Sequence, residues 1–111
     1  MNTAMETLYE RAPDKCVQEL ASSILEQAVM DWKYKCERIH ISYRKRPEAF
    51  VDTMNKRKAA LSELRRFFRS DWCSILCGDG VNRNVMLKSL EEYYRKSQFA
   101  KQVKAWEAGE L

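Results

Sequence analysis

Apolar residues recur at every fourth position in the first third of the chain. Leu20, Ile24, Ala28, Trp32 and Cys36 form one stripe, widened by Val17, Leu25, Ile39 and Tyr43. Side chains four apart stand over one another on a helix, so this pattern predicts a long amphipathic helix over 15–43 whose stripe must meet an apolar partner. Pro13-Asp14 precedes it, and an Asp able to cap the first amides is a start signal. The β-branched Ile39 and Ile41 lower helix propensity near its end, but a strand over 40–43 would have nothing to pair with.

Arg44-Lys45-Arg46-Pro47 breaks the pattern. The residue before a proline is driven out of the helical region, and proline itself fits a new first turn, where Glu48 complements the positive helix end. A second stripe, Phe50, Met54, Leu61, Leu64 and Phe68 with Ala60 and Phe67 beside it, predicts a helix over 47–69. Ser70-Asp71 reads as the cap of a short third helix with Trp72, Ile75 and Leu76 inward, and Gly78-Asp79-Gly80 as its stop. Asn82 or Asn84 caps a fourth helix carrying Val85, Met86, Leu87, Leu90, Tyr93 and Tyr94 on one broad face. Residues 97–111 keep only a weak periodicity through Phe99, Val103 and Trp106, and are expected to be flexible and to fray at Gly109, as are residues 1–12.

These elements predict an all-α fold. It is a single domain over 1–111, a small helical bundle built on a long antiparallel pair, 15–43 and 47–69, and closed by two shorter helices. Its expected core includes Trp32, Phe50, Leu64, Phe68, Trp72 and Leu87. At 111 residues the chain can bury one modest core. No apolar run approaches the ~20 residues that span a bilayer, and the first residues lack a signal-peptide pattern. A cytoplasmic, reducing location without a membrane partner is therefore expected, in which the four cysteines are thiols or ligands rather than a disulfide framework.

Charge changes the picture more than composition does. Residues 33–69 hold 12 of the 20 Lys and Arg but only 4 of the 16 Asp and Glu, a net of +8 against −4 for the rest. Arg44, Lys45, Arg46, Lys56, Arg57, Lys58, Arg65, Arg66 and Arg69 are the candidate partner-binding residues, able to line adjacent helix faces. Such clusters suit phosphates, with Tyr43 or Phe67 to stack on bases, and equally an acidic protein surface. Glu48, Asp52 and Glu63 interrupt the block and nothing reads base edges, which favours the protein partner over the nucleic acid.

Other chemistry is sparse. Cys36 and His40 are four apart, as are Cys73 and Cys77, and three thiolates with an imidazole would suit tetrahedral zinc. Buried apolar thiols explain the same residues more simply. A Cys36–His40 nucleophile would need a third orienting group, and no local signature supplies one. Asp79 between two glycines could meet a cation but reads as a turn. No catalytic residue, cofactor or resident metal follows, and the protein is expected not to be an enzyme. Phe99, Tyr93 and Trp106 near the chain end could form an exposed patch for a partner or for homo-oligomer formation.

Phe67-Phe68-Arg69-Ser70-Asp71-Trp72, followed by Leu76, Asp79-Gly80 and Leu87/Leu90, resembles the small helical proteins carried by prophages and mobile elements of Gram-positive bacteria, over roughly residues 20–92. This chain departs from the pattern by Val81-Asn82-Arg83-Asn84 after Gly80. The resemblance implies an accessory role, such as an anti-CRISPR-like inhibitor of a host defence nuclease or a binder of a host or phage regulator.

Overall fold

The computed structural model describes residues 14–78 and 82–111. The arm at 1–12, Asp79, Gly80 and the side chains of Asp14 and Val17 lie outside the described residues. Five helices and no strand are present among the described residues: α1 (Asp14–Lys35), α2 (Pro47–Arg69), α3 (Asp71–Cys77), α4 (Arg83–Arg95) and α5 (Gln98–Glu107). The all-α bundle expected from the pattern is the fold, with two corrections. The first helix stops at Lys35 rather than near Tyr43, and the chain end contributes a fifth helix rather than a flexible tail.

Local signals account for several boundaries. Ser70 ends α2 and caps α3, its hydroxyl accepting the Cys73 amide at 3.3 Å. Asn82, not Asn84, caps α4 through the Val85 amide at 3.2 Å. Ser97 caps α5 in the same way, accepting from Ala100 at 3.1 Å. These side chains satisfy amides that a helix start leaves without a partner. Gly78 follows α3 at φ 55°, a conformation that glycine adopts without a side-chain clash. Gly109 does the same for α5: its amide donates to Trp106 and that of Glu110 to Ala105, a Schellman closure that ends the helix cleanly instead of fraying it.

The early end of α1 is a tertiary effect. No glycine or proline stands in 36–43. The backbone there is taken over by distant residues. Gln102 of α5 clasps Ile39 at both ends, its carbonyl accepting the Ile39 amide at 2.7 Å and its amide donating to the Ile39 carbonyl at 2.9 Å. The Phe99 amide donates to the Cys36 carbonyl at 3.3 Å, and Arg57 of α2 donates to that of Glu37. An extended residue also advances about twice as far as a helical one, so 36–46 reaches along the whole first half of α2. As the chain passes Trp32, Glu37 and Tyr43, its partners on α2 are Phe68, Arg57 and Phe50 in turn. The pair is antiparallel, as expected, but the irregular segment is half of it.

The core runs through all five helices. Trp32, Phe50, Met54, Leu61, Phe68 and Phe99 are each at most 2 % exposed, and Ile39 joins them from the segment. Leu64 and Leu87 are half-buried at its edge rather than central, and Trp72 is likewise only half-buried. Replacement Gln102→Ala should cost about 1–3 kcal/mol, since it orphans a partly buried amide and carbonyl together. Amide hydrogen exchange should show the Ile39 proton losing its protection well before those of α2. Unchanged protection would mean the clasp does not hold the segment.

Candidate functional site

The structure separates the nine basic residues that the sequence grouped. Arg65 turns inward and is not free for a partner. Its guanidinium lies 5.0 Å from the ring centroids of both Trp32 and Tyr94 and pairs with Glu91, Nε to Oε1 at 2.6 Å and Nη2 to Oε2 at 3.4 Å. Arg57 is also engaged, bonded to the Glu37 carbonyl and set 5.9 Å over the Phe99 ring. Lys56 is exposed but paired with Asp52 at 2.9 Å. Lys58 stands about 200° around the helix from Lys56, so the two do not share a face. Lys58 is exposed at the middle of α2, and Arg66 and Arg69 at its end. Arg44, Lys45 and Arg46 lie just before its start, about 30 Å from Arg66 but only roughly 18 Å from Lys58 along the helix axis.

The Arg65 pair is a structural keystone. Its fork geometry and two ring faces combine a charge-assisted bond with cation–π contact. Arg65→Met keeps the aliphatic stem and should still cost about 2 kcal/mol, read in urea unfolding. A companion Glu91→Leu should recover part of the loss, because it removes the carboxylate left without a partner. A loss below ~0.5 kcal/mol would mark the pair as ordinary surface charge.

What remains at the α2 start is a compact basic segment. Arg38, Arg44, Lys45 and Arg46 fall within 38–46, which contains no Asp or Glu. All four are exposed and have no ion-pair partner among the described residues. His40 is exposed between them. The turn at its end is held by the Arg46 amide donating to the Ser42 carbonyl at 2.9 Å. Clasped by Gln102 and Arg57, the segment presents these charges from a fixed backbone. Arg38 was hidden from the sequence reading by the assignment of 36–43 to a helix.

A groove of about 750 Å³ adjoins the segment, walled by Cys36, Arg38 and His40 on one side, by Tyr93 of α4 on the other, and by the turn at Lys96. Of the three aromatics expected to form an exposed patch, only Tyr93 is exposed, at 44 %. Phe99 is wholly buried and Trp106 is packed against the core. Lys33 stands 5.6 Å over the Tyr93 ring. Glu92 in the same wall is bonded to Arg95 and Lys96, which hold its carboxyl below the usual range. The two aromatics assigned to base stacking are engaged elsewhere: Tyr43 sits edge-on to Phe50 at 5.6 Å, and Phe67 edge-on to Phe68 at 5.4 Å.

The thiols are not assembled for chemistry. Cys36 and His40 do not share a helix face, because α1 has ended. Burial pushes the Cys36 thiol up to about 11 against the lowering effect of Ser97 and Arg65. It is therefore protonated at neutral pH, the wrong state for a nucleophile. Cys73 and Cys77 are both buried, with sulfurs 3.9 Å apart, and burial with the neighbouring Cys77 raises Cys73 to about 12. No group of three or more His, Cys, Asp or Glu among the described residues is placed to hold a metal, so the Cys36, His40, Cys73, Cys77 set is not brought together. No helix among the described residues is long and apolar enough to cross a membrane. No protein-family model, curated protein or solved structure matches the chain.

Proposed function

We propose that this chain is a non-catalytic binding protein that docks on an acidic surface of a partner protein through the basic segment 38–46. The observation that carries the reading is the run of four exposed, unpaired cations on a pinned, acid-free backbone. Unpaired charges of one sign steer association and select partners of the opposite sign. The engagement of Tyr43 and Phe67 with core rings favours a protein over a nucleic acid. The resemblance to prophage-borne helical proteins supports a bacterial host partner, such as a defence nuclease or a regulator.

The test is capture from a bacterial lysate treated with nuclease. A partner should survive the nuclease and be lost with Arg44→Glu, Lys45→Glu, Arg46→Glu, while Lys58→Glu, Arg66→Glu leaves it in place. Capture abolished by nuclease, followed by a mobility shift that weakens steeply with salt, would assign the segment to nucleic acid instead. Capture indifferent to the three reversals would remove 38–46 as the docking site.

A further inference from the structure

Two depressions flank the basic segment and share Arg38 and His40. The first is the groove of about 750 Å³ closed by Tyr93. The second, about 390 Å³, continues past Tyr43 and Arg44. Together they form a track along 38–44 that is mostly apolar, with mixed charges, at the Tyr93 end and leads to the exposed cations Arg44, Lys45 and Arg46 at the other. Resting on the reading of 38–46 as the docking segment, we infer that this track receives one extended segment of the partner, with an aromatic side chain seated against Tyr93 and carboxylates over Arg44, Lys45 and Arg46.

The chemistry of the two ends argues for this occupant. The floor and walls of the first groove are mostly carbon, with the buried Cys36 beneath them. An exposed tyrosine beside such a groove is the kind of anchor point that dominates binding energy, because a ring seated there leaves water and meets another ring. Glu37 and Glu92 stand at this end beside Arg38 and Lys96, a balanced set of charges, so an uncharged group belongs there. The carboxylates of the ligand belong six to eight residues further along, where the three exposed cations Arg44, Lys45 and Arg46 outnumber the one acidic side chain, Glu110, that lines the second depression. An extended chain covers that separation, at most roughly 25 Å, in about seven residues.

The probes are labelled poly-glutamate, a random copolymer of glutamate and tyrosine, and an oligothymidylate, measured by fluorescence anisotropy at low salt. The copolymer should bind about tenfold more tightly than poly-glutamate, the ~1.4 kcal/mol that one seated ring supplies. Ser89 is exposed on the wall of the groove, so Ser89→Trp fills it from outside the core. That variant, and independently Tyr93→Ala, should erase the preference while poly-glutamate still binds. Arg44→Glu, Lys45→Glu, Arg46→Glu should abolish binding of both polymers. Equal affinity for the two polymers, or a preference that survives both groove variants, overturns the inference and leaves the basic segment standing. Binding of neither polymer overturns both. Tighter binding of the oligothymidylate than of either polymer overturns both in favour of nucleic acid.

Discussion

Trp32→Ala should lower stability by on the order of 3–5 kcal/mol, a large part of the ~5–15 kcal/mol available to a domain. The indole is 1 % exposed at the end of α1. Its edge contacts join three helices, with Phe68 of α2 at 6.2 Å and Tyr94 of α4 at 6.3 Å. Its Nε1 donates to the Leu90 carbonyl at 2.8 Å, and Arg65 lies across its face. Truncation therefore opens a cavity and also removes one of the two rings that hold Arg65. Trp32→Phe keeps much of the packing and loses the hydrogen bond, so its cost should be about 1–2 kcal/mol beyond any strain. Urea unfolding followed by circular dichroism separates these outcomes. A loss under ~1 kcal/mol for the alanine variant would show that the three helices meet elsewhere.

The stripe that identified Trp32 was legible because it is local: residues four apart in sequence are neighbours on a helix whatever else the chain does. The same holds for Ser70 and Asn82, whose capping needs only the next turn. Ile39 was correctly expected on the buried side, at 2 % exposure, but in the wrong backbone conformation. What decides its conformation is Gln102, 63 residues away, and no spacing rule reports a side chain that replaces helical hydrogen bonds from that distance. Arg57 and Arg65 were misread for a related reason. Long stems with charged heads look alike in sequence whether the head meets water, a carboxylate or a ring. Only the fold shows that Arg65 has Trp32, Tyr94 and Glu91 around it. The acid-free run at 38–46, by contrast, was present in the sequence and masked only by its assignment to two separate elements.

The chain end provides the clearest contrast between pattern and packing, because its weak periodicity suggested a tail. Ser97 and Gly109 do mark a helix start and stop, and the ten-residue helix between them carries three buried side chains, Phe99, Ala100 and Val103. Phe99 is fully enclosed. Its ring meets Tyr94 edge-on at 6.4 Å and the Arg57 guanidinium at 5.9 Å, while its amide bonds to Cys36. Phe99→Ala should thus cost about 3–5 kcal/mol, comparable with Trp32→Ala and far above the ±0.5 kcal/mol of a surface change. Deleting 98–111 removes Gln102 as well, and with it the clasp on Ile39. The shortened chain should lose its cooperative thermal transition, with the basic segment released from its fixed backbone. A truncated protein that melts cooperatively within a few degrees of the full chain would return α5 to the status of an accessory tail.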